Sequence, residues 1–259
     1  MTMPDIRASA PVGPDGAPLL VLGCSLGTSS ILWERALPLL AQRFRVSVWD
    51  LPGHGAAPAS ADAFSVAELA DAVAGAYSGD FLYAGVSLGG AVALELALRY
   101  GRRVRAVAAM CSGARIGTPD GWAERAAQVR AAGTGSLLSV SAARWFAPGT
   151  IADDPDLTGR LLHALRDADD ESYARCCDAL ARFDVRERLG DVRVPVLALW
   201  GEHDAVTPEG SAEEIGQGVR HARVGRVDGA SHLAPVDAPA ETARLLEDFF
   251  TRSLTEVGS

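Results

Sequence analysis

The sequence predicts an α/β fold: a mostly parallel sheet with helices on both faces and an all-helical lid inserted between two strands. Three observations predict it. Apolar strand-like runs alternate with helical segments up to Ser112 and again from Val194 onward, as in sheets built from right-handed crossovers. Between them, from about Ala114 to Gly190, the pattern is helical only. Phe81 to Gly101 reads as a buried strand, a sharp turn with Ser87 at its apex, and a packed Ala/Leu-rich helix. The core is therefore expected over 1–114 and 191–259, and the helical lid over 115–190.

Residues 1–16 are polar and Pro/Gly-rich, with room for one short edge strand near Ile6 to Ala10. Leu19 to Cys24 is a buried strand running into the small-residue loop Ser25 to Ser30. A helix through Trp33 and Leu40 follows and must accommodate Pro38. Arg45 to Asp50 is the next strand, and Ser65 with Glu68 forms a capping box that opens a helix to about Tyr77. After the Ser87 unit comes a strand from Val104 to Ser112. The lid offers helices at Asp120–Ala132, Gly135–Phe146, Pro155–Arg166 and Asp170–Arg182, separated by Gly, Pro and Asp. Val194 to Trp200 and His221 to Val227 resume the strands, and Pro239 to Leu254 is a closing amphipathic helix.

At 259 residues the chain can bury a large core as one unit with an insertion. The net charge of −9 argues against nucleic acid or an anionic membrane surface as a partner. Every cation is arginine, so Schiff-base or lysine-base chemistry is excluded. Cys24, Cys111, Cys176 and Cys177 have neither a disulfide framework nor metal spacing; Cys24 and Cys111 read as small core residues and the adjacent Cys176 and Cys177 as two reduced thiols. The N-terminal stretch lacks an apolar signal core, and no apolar run is long enough to span a bilayer, so a cytoplasmic location is expected. Nothing in the pattern calls for a metal or a cofactor, and it carries no signal for oligomeric state.

The chemistry lies at three strand ends. Gly85-Val86-Ser87-Leu88-Gly89 brings backbone so close to backbone that side chains at its two glycines would clash. The turn holds the Ser87 hydroxyl at a helix N-terminus, where the amide dipoles favour negative charge. A serine hydroxyl needs a base to take its proton and a third group to fix the tautomer of that base. His232, in Asp228-Gly229-Ala230-Ser231-His232, is the candidate base, and Asp204, after the Val194–Trp200 strand, the candidate acid. Glu202 and Asp228 remain rival acids. His54, His163, His203 and His221 are weaker bases: a turn, a lid helix, a side chain facing away from Asp204, and a strand start. Two donors should meet a developing oxyanion, the amides of Leu88 and Leu26, with Gly27 freeing the second loop to turn.

With these parts in place, the chain resembles the α/β-hydrolase superfamily over roughly residues 17–252. Gly23 to Thr28 with Trp33 is similar to the N-S-L-G-T…W signature of 3-oxoadipate enol-lactonases, with Cys24 standing where they have asparagine. Ile116 to Arg125 resembles their I-G-T-P-E-x-W-x-x-R segment, and Arg144-Trp145-Phe146 their R-W-F. Tyr173 to Cys177 with Phe183 to Arg186 resembles their Y-x-x-C-C…F-D-x-R run. The resemblance implies hydrolysis of 3-oxoadipate enol-lactone to 3-oxoadipate through an acyl-enzyme. The expected partner is then a small carboxylate-bearing lactone. A cation on the lid should meet that carboxylate, with Arg144 the candidate and Trp145 packing on the flat ring. The rival readings are another small-ester, thioester or carbon–carbon-bond hydrolase, and a ligand receptor without turnover. Dehalogenase and epoxide-hydrolase chemistry is rejected because it wants aspartate at position 87.

Overall fold

The computed structural model describes residues 3–256. In chain order the elements begin with β1 (Arg7–Ala8), β2 (Leu19–Gly23), α1 (Leu37–Leu40), β3 (Arg45–Asp50), α2 (Val66–Ala76), β4 (Phe81–Val86), α3 (Leu88–Arg99) and β5 (Val104–Met110). A helical stretch follows: α4 (Pro119–Ala132), α5 (Leu138–Trp145), α6 (Thr150–Asp153), α7 (Pro155–Asp167) and α8 (Asp170–Ala181). β6 (Val196–Gly201), α9 (Glu209–Gly218), β7 (Ala222–Val227), α10 (Ala234–Asp237) and α11 (Pro239–Glu256) complete the chain.

The strands form one sheet in the order β1-β3-β2-β4-β5-β6-β7, with β1 antiparallel and the rest parallel. Every residue of β4 is buried, as its unbroken apolar run requires of a strand covered on both faces. α2 packs with α3 and α1 with α11, so helices flank the sheet. The strand order reverses between β2 and β4: the chain leaves β2 toward β3 on one side and returns to β4 on the other. At such a reversal the connections part and leave a crevice beyond the carboxyl ends of the strands. Gly23 and Gly85 are register partners there.

The capping box of α2 is present, with the Glu68 amide donating to Ser65 Oγ at 3.2 Å and the Ser65 amide to Glu68 Oε2 at 2.8 Å. The longer insertion helices start where the sequence supplies a side-chain acceptor, twice followed by proline. Thr118 caps α4, Asp154 caps α7 and Asp169 caps α8, and Pro119 and Pro155 occupy first-turn positions that need no amide hydrogen.

Three expected elements differ. The helix through Trp33 and Leu40 is two pieces, a 3-10 turn over Ser30–Trp33 and α1. Pro38 cannot donate to an earlier turn, so it sits in the first turn of a new helix instead. The Gly135–Phe146 helix opens as a 3-10 turn over Thr134–Leu137, and α6 was not anticipated. The strand expected to reach Ser112 stops at Met110, because Cys111 takes a positive φ of 44°. All four cysteines are buried and free. No helix among the described residues is long and apolar enough to cross a membrane.

Candidate active site

The Ser87 turn is built by close packing. A Cβ at Gly85 would collide with the Gly89 carbonyl, and one at Gly89 would lie 2.8 Å from the Gly23 carbonyl carbon. These contacts press the start of α3 against the end of β2. Ser87 itself adopts φ 56° and ψ −113°, a strained conformation for a residue with a side chain. Its amide donates to the Met110 carbonyl at 2.9 Å, and its carbonyl accepts the Ser112 hydroxyl at 2.8 Å. The strain is thus held from β5 next door.

The loop after β2 is shaped from both sides. The Trp33 indole donates to the Gly23 carbonyl at 3.2 Å, fixing the end of the strand. Gly27 takes φ +82°, and a Cβ there would press on Leu165, Tyr173 and Trp145 of the insertion. Only glycine meets both demands. The Leu26 and Leu88 amides, expected to hold an oxyanion, donate to no acceptor among the described residues.

His232 and Asp204 follow β7 and β6, which are adjacent in the sheet, and His232 Nδ1 lies 3.0 Å from Asp204 Oδ2. Asp204 also accepts the Thr207 hydroxyl at 2.8 Å on Oδ2, and the Val206 and Thr207 amides on Oδ1. Burial pushes the Asp204 carboxyl up, but the hydrogen bonds and charge of His232 and the Thr207 donors outweigh it, and its pKa lies below the usual value. An ionised carboxylate only accepts, so His232 presents its proton at Nδ1 and carries its lone pair on Nε2.

The rival groups lie elsewhere. Glu202 and Asp228 are exposed and both pair with Arg226. His163, His203 and His221 are exposed. His54 is buried with its Nδ1 on the Pro52 carbonyl at 2.8 Å, stacked near Tyr173. Among the described residues no group of three or more His, Cys, Asp or Glu side chains is arranged to hold a metal ion.

Ser87, Leu26 and His232 line a cavity of about 480 Å³ whose outer wall comes from the insertion. Arg144 and Trp145 are on that wall, and so are Trp122, Arg125 and Tyr173, which the sequence reading did not assign to the site. The Arg125 guanidinium lies 5.3 Å from the Trp122 ring centroid. Their spacing of three on α4 places both on one helix face, the signal that was available. Neither Arg125 nor Arg144 pairs with a carboxylate among the described residues, whereas Arg35, Arg130, Arg160 and Arg244 each pair with one or more. The cavity wall therefore carries two cations available to an anion.

This fold and arrangement are those of the alpha/beta hydrolase fold family, which residues 17–239 match; the chain belongs to that family and is a hydrolase. Among its relatives, 3-oxoadipate enol-lactonase 2 of Acinetobacter baylyi is 30% identical over 92% of this chain and 91% of that one. A pimeloyl-[acyl-carrier protein] methyl ester esterase of Neisseria meningitidis is 33% identical, over 91% of this chain and 94% of that one. The crystal structure of the enol-lactonase from Burkholderia xenovorans superposes with a TM-score of 0.91 at 28% identity, covering 95% of this chain and 96% of that one.

Proposed function

We propose that this protein hydrolyses 3-oxoadipate enol-lactone to 3-oxoadipate, with Ser87 as nucleophile, His232 as base and Asp204 as the acid that orients it. The observation that carries the reading is one cavity holding Ser87 and His232 on its floor and two carboxylate-free arginines on its wall. A lactone with a carboxylate side arm needs both ends.

His232 Nε2 takes the Ser87 proton as Oγ attacks the lactone carbonyl, and the amides of Leu26 and Leu88 hold the oxyanion. Collapse opens the ring and expels an enolate, a better leaving group than an alkoxide, which imidazolium protonates before it tautomerises to the ketone. Water deprotonated by His232 then cleaves the acyl-enzyme, and Ser87 regains its proton. Arg125 and Arg144 hold the substrate carboxylate, and Trp145 packs on the ring.

A second reading is hydrolysis of a methyl ester on a carboxylate-bearing acyl chain. The likeness to the methyl ester esterase favours it. The test is loss of the enol-lactone's ultraviolet absorbance, with wild type and Ser87→Ala side by side. Fast loss that vanishes in the variant is expected. No loss, together with a Ser87-dependent burst on a simple aryl ester, would keep Ser87 as nucleophile and overturn the enol-lactone assignment.

A further inference from the structure

The loop carrying His232 is bonded on both sides of that residue to the insertion. The Leu233 amide donates to the Trp145 carbonyl at 3.0 Å, and the Ser231 hydroxyl has the Arg144 carbonyl at 3.2 Å and the His203 carbonyl at 3.3 Å as acceptors for its one proton. One carboxylate gathers the rest. Asp237, at the end of α10, accepts the Ser231 amide on Oδ2 at 2.8 Å. Its Oδ1 accepts the Ala147 amide at 3.0 Å and the Thr150 hydroxyl at 2.7 Å. No arginine pairs with this half-buried carboxylate among the described residues; three donors from two separate segments occupy its oxygens, and burial still pushes its pKa above the usual value.

From this geometry we propose that Asp237 is a positioning residue for the base. It clamps the Ala147–Thr150 segment of the insertion to the Ser231–Leu233 loop, so that the seat of Arg144 and Trp145 over the cavity and the aim of His232 are set together. The inference rests on the reading of His232 as base. Substrate contact with Arg144 or Trp145 is then felt at His232, and losing the clamp lowers turnover more than binding.

An asparagine at 237 is the informative variant. Its one carbonyl oxygen can serve the Ala147 and Thr150 donors, but its NH₂ then faces the Ser231 amide, donor against donor. The experiment compares Asp237→Asn, Thr150→Val and Thr150→Ser with wild type. It measures kcat, KM, melting temperature and the rate of Ser87 phosphorylation by diisopropyl fluorophosphate, which reports serine activation without a substrate carboxylate. Asp237→Asn is expected to lower kcat and the phosphorylation rate together by about 10- to 100-fold, with KM within about 3-fold. Thr150→Val should show a smaller loss in the same two quantities, and Thr150→Ser, which keeps the donor, should restore them.

A folded Asp237→Asn with wild-type kcat and phosphorylation rate would overturn the proposal. So would losses that track only the fraction unfolded. Should Asp237→Asn fail to fold, the Thr150 pair decides: a folded Thr150→Val indistinguishable from Thr150→Ser overturns the clamp. If His232→Ala is phosphorylated as fast as wild type, the base assignment itself is wrong and the clamp falls with it. That result is separate from a normal His232 requirement with an inert Asp237.

Discussion

Asp204 Oδ2 lies 3.0 Å from His232 Nδ1, although 28 residues separate them and each belongs to a different strand-end loop. Their closeness follows from β6 and β7 being parallel neighbours, which brings the two carboxyl ends to the same edge of the sheet. The Asp204 side chain is fully buried and accepts from Thr207 and Val206 as well. It cannot rotate without stranding those donors.

Asp204→Asn should therefore leave the fold nearly intact and remove most turnover. An amide NH₂ facing Nδ1 favours the wrong imidazole tautomer, and kcat is expected to drop by about 10³- to 10⁴-fold with KM little changed. Steady-state kinetics on the enol-lactone check this. Because the folded Asp204 pKa is depressed, its stabilising contribution is present above the ordinary carboxylate range and fades as pH falls through the folded value.

Removing a wall cation should separate substrates by charge. Arg125→Met and Arg144→Met are each expected to raise KM for the carboxylate-bearing lactone by about 10-fold, the worth of one charged hydrogen bond. For a neutral aryl ester the change should be far smaller. Equal effects on both substrates would show that the arginines shape the wall without holding an anion.

Two glycines should respond in opposite directions. Gly85→Ala would push a methyl into the Gly89 backbone, which has no side chain to move aside, and is expected to cost about 3 kcal/mol or more. Gly159 lies inside α7 with nothing within 4 Å of its would-be Cβ. Gly159→Ala should stabilise the protein by about 0.5–1 kcal/mol through helix propensity. Denaturant unfolding of the two variants reads both effects.

Burial lowers the His54 pKa to about 4, and Nε2 has no partner to receive a proton's charge. The unfolded chain takes up that proton near pH 6.5, the folded one only near 4, so stability is full above about 6.5 and declines as pH falls. The loss attributable to His54 should reach about 3 kcal/mol at pH 4. Unfolding free energies of wild type and His54→Phe between pH 7 and 4.5 test this, the wild type showing the steeper decline.

Much of this molecule was legible in one dimension, for local physical reasons. A buried strand shows as an apolar run, a helix start as Ser65 with Glu68 or Thr118 before Pro119, and the tight turn as two glycines around Ser87. These signals sit within a few residues of each other, so the sequence itself determined the strand order along the chain, the tight Ser87 turn and the His232 loop. It also narrowed the candidate acid to three carboxylates. What separated Asp204 from Glu202 and Asp228 was burial against His232, while the other two face solvent and Arg226. Only tertiary structure decided that. It also decided that α4 and α8 bring Trp122, Arg125 and Tyr173 to the cavity and that Asp237 reaches back to Thr150. Helical periodicity tells which face of a helix is apolar but not which neighbour covers it. A hydrogen bond spanning 87 residues leaves no local pattern, because its partners are neighbours only once the sheet and the insertion have packed.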